Sequence, residues 1–133
     1  MTRVLRVECI EVVYHPALST LCHQVKNLYN RANYLIKSAL NNENNLLCYN
    51  HLDTLLKGEE CYRILPDHTA QHTLKLLCRN WKGYFQALKE WKTAPERFFS
   101  RPHSPNYKAK DGEVVAIFSN QQAKINNGWL VLP

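Results

Sequence analysis

Between residues 68 and 110 nine basic side chains, Lys75, Arg79, Lys82, Lys89, Lys92, Arg97, Arg101, Lys108 and Lys110, stand against two acidic ones, Glu90 and Glu96. That segment carries +7 in a chain of net charge +6, and the remaining eight basic and nine acidic residues sum to −1. Charge placed this way is a local field and not a general solubility coat, and the chemistry it offers is capture of a polyanion. Nucleic acid is the first candidate, because Lys and Arg hold phosphates whatever the base sequence.

Lys75, Arg79, Lys82 and Lys89 recur at three- and four-residue multiples, which predicts a basic ridge along one side of a helix. Arg97, Arg101, Lys108 and Lys110 could clamp the same strand or its neighbour. Arg suits bidentate phosphate contacts better than Lys. Tyr84, Phe98, Phe99 and Tyr107 lie among these cations and can stack on unpaired bases, with Tyr107 the preferred candidate; Phe85 and one of Phe98 or Phe99 are expected in the core. Asn120, Gln121 and Gln122 offer amides that pair a donor with an acceptor, so they read base edges or else form a polar turn. The competing reading of the ridge is a solvated helix face.

Other chemistry finds little support. Glu59, Glu60, Asp111 and Glu113 stand in no arrangement suited to two-metal phosphodiester cleavage, and no catalytic residue is expected. His68 and His72 share a helical face, but no zincin Glu follows His68 and no Cys pair is near, so no metal site is expected. Cys9, Cys22, Cys48, Cys61 and Cys78 are scattered singly and odd in number, which predicts reduced, buried thiols.

The elements that must position these residues follow from periodicity. With 45% hydrophobic and 21% charged residues in 133, the chain has the composition of one modest folded domain. Residues Arg3 to Tyr14 alternate as a strand, stopped by His15-Pro16. Leu18, Leu21, Val25, Leu28, Ala32, Leu35 and Ala39 then mark an amphipathic helix from Ala17, broken at Asn41-Asn42-Glu43-Asn44-Asn45. A shorter helix through Leu46, Leu47, Leu52, Leu55 and Leu56 is expected to stop at Gly58. Asp67 is placed to cap the longest helix, whose seam is Ala70, Leu74, Leu77, Trp81, Phe85 or Tyr84, Leu88 and Trp91. Gly83 should weaken it and permit a close approach or a bend.

Pro95, Pro102, Pro105 and Gly112 make residues 93–112 an irregular basic connector. Glu113 to Phe118 reads as a strand, and Gln122 to Ile125 meets Trp129 to Leu132 as a hairpin across Asn126-Asn127-Gly128. The expected class is α+β: a small antiparallel sheet or barrel from the N- and C-terminal strands, residues 1–16 and 112–133, with a three-helix lobe and basic connector, 17–111, inserted between them. A sheet ending at Leu132-Pro133 would leave an edge or apolar face uncovered, so further polypeptide is expected to follow. Neither a signal-peptide block nor a bilayer-spanning run is present, which predicts a soluble intracellular protein without a membrane partner; the expected compartment is the cytoplasm, in association with the nucleoid.

Tyr29-Asn30-Arg31-Ala32-Asn33, Leu65-Pro66 before a helix containing Trp81-Lys82-Gly83-Tyr84-Phe85, Pro102 to Tyr107 leading into Val114 to Gln122, and then Lys124-Ile125, Gly128 and Leu130 to Pro133 occur in this order. Together they resemble the N-terminal region of TnpB-type transposon-encoded proteins, the OrfB transposase family of insertion sequences, which are RNA-guided DNA endonucleases related to type V CRISPR effectors. The resemblance implies a wedge-like β-barrel interrupted by a helical recognition lobe, with guide RNA and target DNA as partners. In that family cleavage belongs to a RuvC-like domain with three metal-binding carboxylates and to a zinc-binding insert, both C-terminal to this region. Neither occurs here, so the divalent metal and zinc are expected only outside this chain, in a missing region or a separate RuvC-like polypeptide. The remaining alternatives are a freestanding regulatory or protein-interaction module, in which Trp81, Phe85 and Trp91 would face a partner, and an inactive truncated remnant.

Overall fold

Proline and histidine open the first helix. In the computed structural model, which describes residues 9, 11 and 14–133, α1 runs Pro16–Glu43. His15 holds an extended backbone and its Nδ1 accepts the Ala17 N–H at 3.1 Å, while Pro16 occupies a first-turn position where no N–H is required. The helix ends at Asn44, which takes a left-handed φ of 50° within the asparagine run. Its apolar stripe buries Val25, Leu28, Tyr29, Ala32 and Ile36, and the polar Lys26 and Asn33 are buried beside them.

Helix α2 spans Tyr49–Leu56 and adds Leu52 and Leu56 to the core. Leu46 and Leu47 precede it, and the helix ends two residues short of Gly58, which lacks a left-handed φ, since Gly128 alone among the glycines has positive φ. The chain instead turns through Glu59 into a one-turn α3, Glu60–Arg63. Tyr62 is buried there and donates its hydroxyl to Asp53 Oδ1 at 2.6 Å, tying α3 to α2. Burial, followed by the adjacent Asp53 carboxylate, pushes the Tyr62 hydroxyl pKa well above the usual range.

Helix α4 spans Asp67–Thr93, about 40 Å at 1.5 Å per residue. Pro66, not Asp67, takes the cap position: its φ of −55° and ψ of 139° set the entry, and no side chain caps the helix. Asp67 therefore lies in the first turn, where its charge opposes the positive end of the helix dipole. Ala70, Leu74, Leu77 and Trp81 join α1 and α2 in one buried cluster. Beyond Trp81 the seam emerges from the core, and Phe85, expected inside, is 37% exposed. The core thus grips the first half of α4 and leaves its last turns at the surface.

A Cβ at Gly83 would meet nothing among the described residues within 4 Å, so no close approach among them explains this glycine. Replacing Gly83 with alanine is expected to stabilise the fold by about 1 kcal/mol, because the helical backbone is unchanged and the unfolded chain loses freedom. Urea unfolding measures this as a higher midpoint at unchanged slope.

The C-terminal hairpin pairs β1, Lys124–Asn126, with β2, Trp129–Val131, in antiparallel register Asn126↔Trp129. Asn127 and Gly128 form its two-residue turn with φ of 51° and 80°, the conformation that favours Asn-Gly. Residues 113–118 are not a strand. Val114 is buried in the helical core and donates its N–H to the Cys22 carbonyl at 3.2 Å, so a helix surface takes the place of a β neighbour. Ser19 Oγ donates to Glu113 Oε1 at 2.6 Å, with His23 Nε2 at 3.4 Å from the same oxygen. The strand expected over Arg3 to Tyr14 lies outside the described residues apart from Cys9, Glu11 and Tyr14, none of which is assigned to a strand.

The described chain is thus α+β, mostly helical with a two-stranded antiparallel sheet. Its cysteines are free but not buried as expected: Cys9 and Cys48 are exposed, and Cys22, Cys61 and Cys78 are half-buried. No helix among the described residues is long and apolar enough to cross a membrane.

Candidate nucleic-acid interface

Helical geometry sets the basic ridge apart from the core. Thr69, Ala70, Thr73, Leu74, Leu77 and Trp81 form the buried face of α4, and at 3.6 residues per turn Lys75, Arg79, Lys82 and Lys89 fall on the opposite side. All four are exposed, and none forms an ion pair with a described residue. Lys75 extends over the ring of Tyr49 in α2, its Nζ 5.0 Å from the centroid.

His72 stands one turn before Lys75 on this face. Its pKa is lowered from the ordinary histidine value, first by partial burial and then by Lys75, His68 and Arg79. Accumulated positive charge disfavours one more proton there, whereas phosphate placed on the ridge would favour it. Proton uptake should therefore accompany polyanion binding. Affinity is expected to rise a few-fold as pH falls from about 7.5 to about 5.5, and His72→Gln to remove most of that rise, as read by anisotropy titrations at three pH values.

The turn that carries Asn120, Gln121 and Gln122 is tied to the first turn of α4. His68 Nδ1 and Ser119 Oγ are hydrogen bonded at 2.7 Å, which fixes the 119–123 turn against that helix end. The turn closes through Gln122 and Ala123 N–H groups donating to the Ser119 carbonyl at 3.0 and 2.9 Å. Asn120 and Gln121 face solvent, but Gln122 turns its Oε1 inward, where it is buried without a hydrogen-bond partner among the described residues. Two of the three amides are therefore presented to solvent near the N-terminal end of α4.

The connector cations occupy different ground. A polar row on α1, at 26, 30 and 33, holds the connector backbone: Lys26 Nζ donates to the Lys110 carbonyl at 2.6 Å and Asn33 Nδ2 to that of Pro105 at 3.1 Å. Asn30 grips Lys108 in both directions, donating to its carbonyl at 3.0 Å and accepting its N–H at 2.8 Å. The Lys108 ammonium lies 5.1 Å from the Tyr29 ring centroid, and the Arg101 guanidinium 5.7 Å from that of Trp91. Arg97 and Lys110 are exposed near the two ends of the connector. The cations thus divide into a ridge on the free face of α4, with Lys75 toward α2, and a second set along the connector, with Lys108 anchored to α1.

Tyr107, the preferred stacking residue, is 47% exposed, but Lys37 Nζ already sits 4.4 Å from its ring centroid. Phe99 is fully exposed and Phe98 half-buried. Lys26 and Lys37 were not singled out from sequence, and Asn30 and Asn33 only through the resemblance, although the spacing of four, three and four over 26, 30, 33 and 37 is itself a helical stripe beside the apolar one. No family model, curated protein or solved structure matches this chain.

Proposed function

We propose that this chain is a non-catalytic nucleic-acid-binding unit in which the free face of α4 follows a sugar-phosphate backbone. The observation that carries the reading is the set of exposed Lys75, Arg79, Lys82 and Lys89 on that face, unpaired by carboxylates among the described residues. Asn120 and Gln121 at the head of the same helix supply amides suited to base edges. Arg97, Arg101, Tyr107, Lys108 and Lys110 form a second contact surface along the connector.

By its resemblance to TnpB-type proteins, the chain acts as the guide RNA and target DNA recognition portion of an RNA-guided endonuclease. Cleavage, with its divalent metal and zinc, then belongs to a RuvC-like region outside these residues. In this reading the N-terminal segment completes a small β unit with the hairpin. The exposure of Ile125, Trp129 and Leu130, at 80%, 75% and 62%, supports this, since such an apolar hairpin calls for a cover.

Fluorescence anisotropy with a labelled RNA between about 0.05 and 0.3 M salt tests the reading. Neutralising about five phosphates gives a slope of log K against log salt between about −3 and −5. A salt-independent affinity, or none, would direct attention to the protein-interaction alternative.

A further inference from the structure

Two neighbouring cavities lie between α1, α4 and the connector, in the region where the connector backbone is pinned. The first, about 410 Å3, is lined by Lys37, Asn41, Trp81, Tyr84, Phe85 and Ser104, with Leu40 at its side. The second, about 340 Å3, is lined among others by Asn80, Tyr84, Asn106, Tyr107 and Lys108. Tyr84 belongs to both, and the Lys37 ammonium of the first lies over the Tyr107 ring of the second, so they form one trough.

The composition of this trough selects its ligand. Trp81, Tyr84 and Phe85 make a cluster of rings with centroids 5.0 to 5.8 Å apart, and Phe85 is partly open to solvent. Flat aromatic walls suit a planar π system; amides at Asn41, Asn80 and Asn106 suit a heterocycle's polar edge; Lys37 and Lys108 suit an anion. No carboxylate among the described residues lines either cavity. A nucleobase joined to a phosphate satisfies all three requirements, and each cavity falls within the roughly 300–1,000 Å3 common for small-ligand sites.

We infer that the trough bounded by Lys37, Trp81, Tyr84, Phe85, Tyr107 and Lys108 holds an unpaired nucleotide of a single-stranded segment, its base against Tyr84 and Phe85 and its phosphate at Lys37. This rests on the nucleic-acid reading above and adds a base-accepting site distinct from the ridge. A paired base has its faces covered by stacked neighbours, so the trough selects single strands, while the ridge needs only phosphates.

The experiment uses the whole chain with a single-stranded decanucleotide carrying one central 2-aminopurine, a blunt duplex of the same length, and adenosine monophosphate. Phe85→Ala is expected to weaken single-strand binding about tenfold and to remove the change in 2-aminopurine emission, leaving duplex affinity within about twofold. Lys37→Gln, which leaves the ring cluster intact, should weaken the single strand several-fold and guards against a folding defect in the first variant. Ridge variants at Lys75, Arg79 and Lys82 should weaken both nucleic acids yet keep the emission change at saturation. Adenosine monophosphate should compete only at millimolar concentration; competition at micromolar concentration would overturn the strand in favour of a free nucleotide. Equal losses for strand and duplex in Phe85→Ala, or no loss in either variant, would overturn the trough and leave the ridge standing. Failure of the unsubstituted chain to bind either nucleic acid would overturn both.

Discussion

Replacing Lys75, Arg79 and Lys82 together with alanine is expected to lower RNA affinity about a hundredfold at about 0.15 M salt and to flatten the salt dependence by about two units. Each phosphate contact releases close to one counterion, so at that salt it contributes about 0.7 log units, and three contacts contribute about two. The side chains lie on the solvent side of α4, opposite Leu74, Leu77 and Trp81, so their loss leaves the core untouched. Urea stability should change by less than about 0.5 kcal/mol per site, as for ordinary surface substitutions. A hundredfold loss with an unaltered unfolding curve identifies a contact surface, whereas unchanged affinity would return the ridge to a solvated helix face.

The second large effect concerns the polar centre of the core. Trp81 is 4% exposed and donates its Nε1 to Asn33 Oδ1 at 2.9 Å, and Asn33, with no exposed surface, donates onward to the Pro105 carbonyl at 3.1 Å. One relay thus joins α4, α1 and the connector. Trp81→Ala is expected to cost about 3–5 kcal/mol for the lost ring, and a further 1–3 kcal/mol for the orphaned Asn33 oxygen. Against a total of about 5–15 kcal/mol for a domain, that removes most of the stability. Trp81→Phe keeps much of the packing and should cost about 1–3 kcal/mol, mainly through Asn33. Urea midpoints of Trp81→Phe, Asn33→Leu and the double variant measure the coupling, and strict additivity would show that the bond contributes nothing.

Local periodicity disclosed the elements whose partners lie on their own face. The three- and four-residue rhythm from Leu18 to Ala39 yields α1, the seam from Ala70 to Trp81 yields the buried half of α4, and Asn127-Gly128 marks the hairpin turn because Asn and Gly both tolerate a left-handed φ. Where the outcome depends on a distant neighbour, the pattern misleads. Val114 to Phe118 alternates well enough for a strand, yet a strand needs a ladder, and α1 takes the Val114 N–H first. Phe85 continues the α4 seam, but α1 faces it with Lys37, Leu40 and Asn41 across an open cavity, and the ring stays 37% exposed. Asp67 is a good capping residue displaced by its neighbour, since Pro66 already occupies the entry.

The candidate site divides along the same line. The ridge is a property of one helix and could be read from spacing alone. That Lys108 and Arg101 would be drawn onto Tyr29 and Trp91, away from the ridge, depends on how α1 grips the connector through Lys26, Asn30 and Asn33. The residues Tyr29-Asn30-Arg31-Ala32-Asn33, singled out through the family resemblance, thereby acquire a physical role. Tyr29, Ala32 and Asn33 are buried, Asn30 and Asn33 hold the connector, and Arg31 pairs with Glu59 at 2.9 Å.

Lysine footprinting tests the ridge most directly. With saturating RNA present, acetylation of Lys75, Lys82 and Lys89 should slow by about tenfold, while Lys57, exposed at the end of α2, keeps its rate. Equal modification of all four lysines with and without RNA, under conditions where anisotropy shows the RNA to be bound, would contradict the assignment of α4 as the phosphate-contacting face.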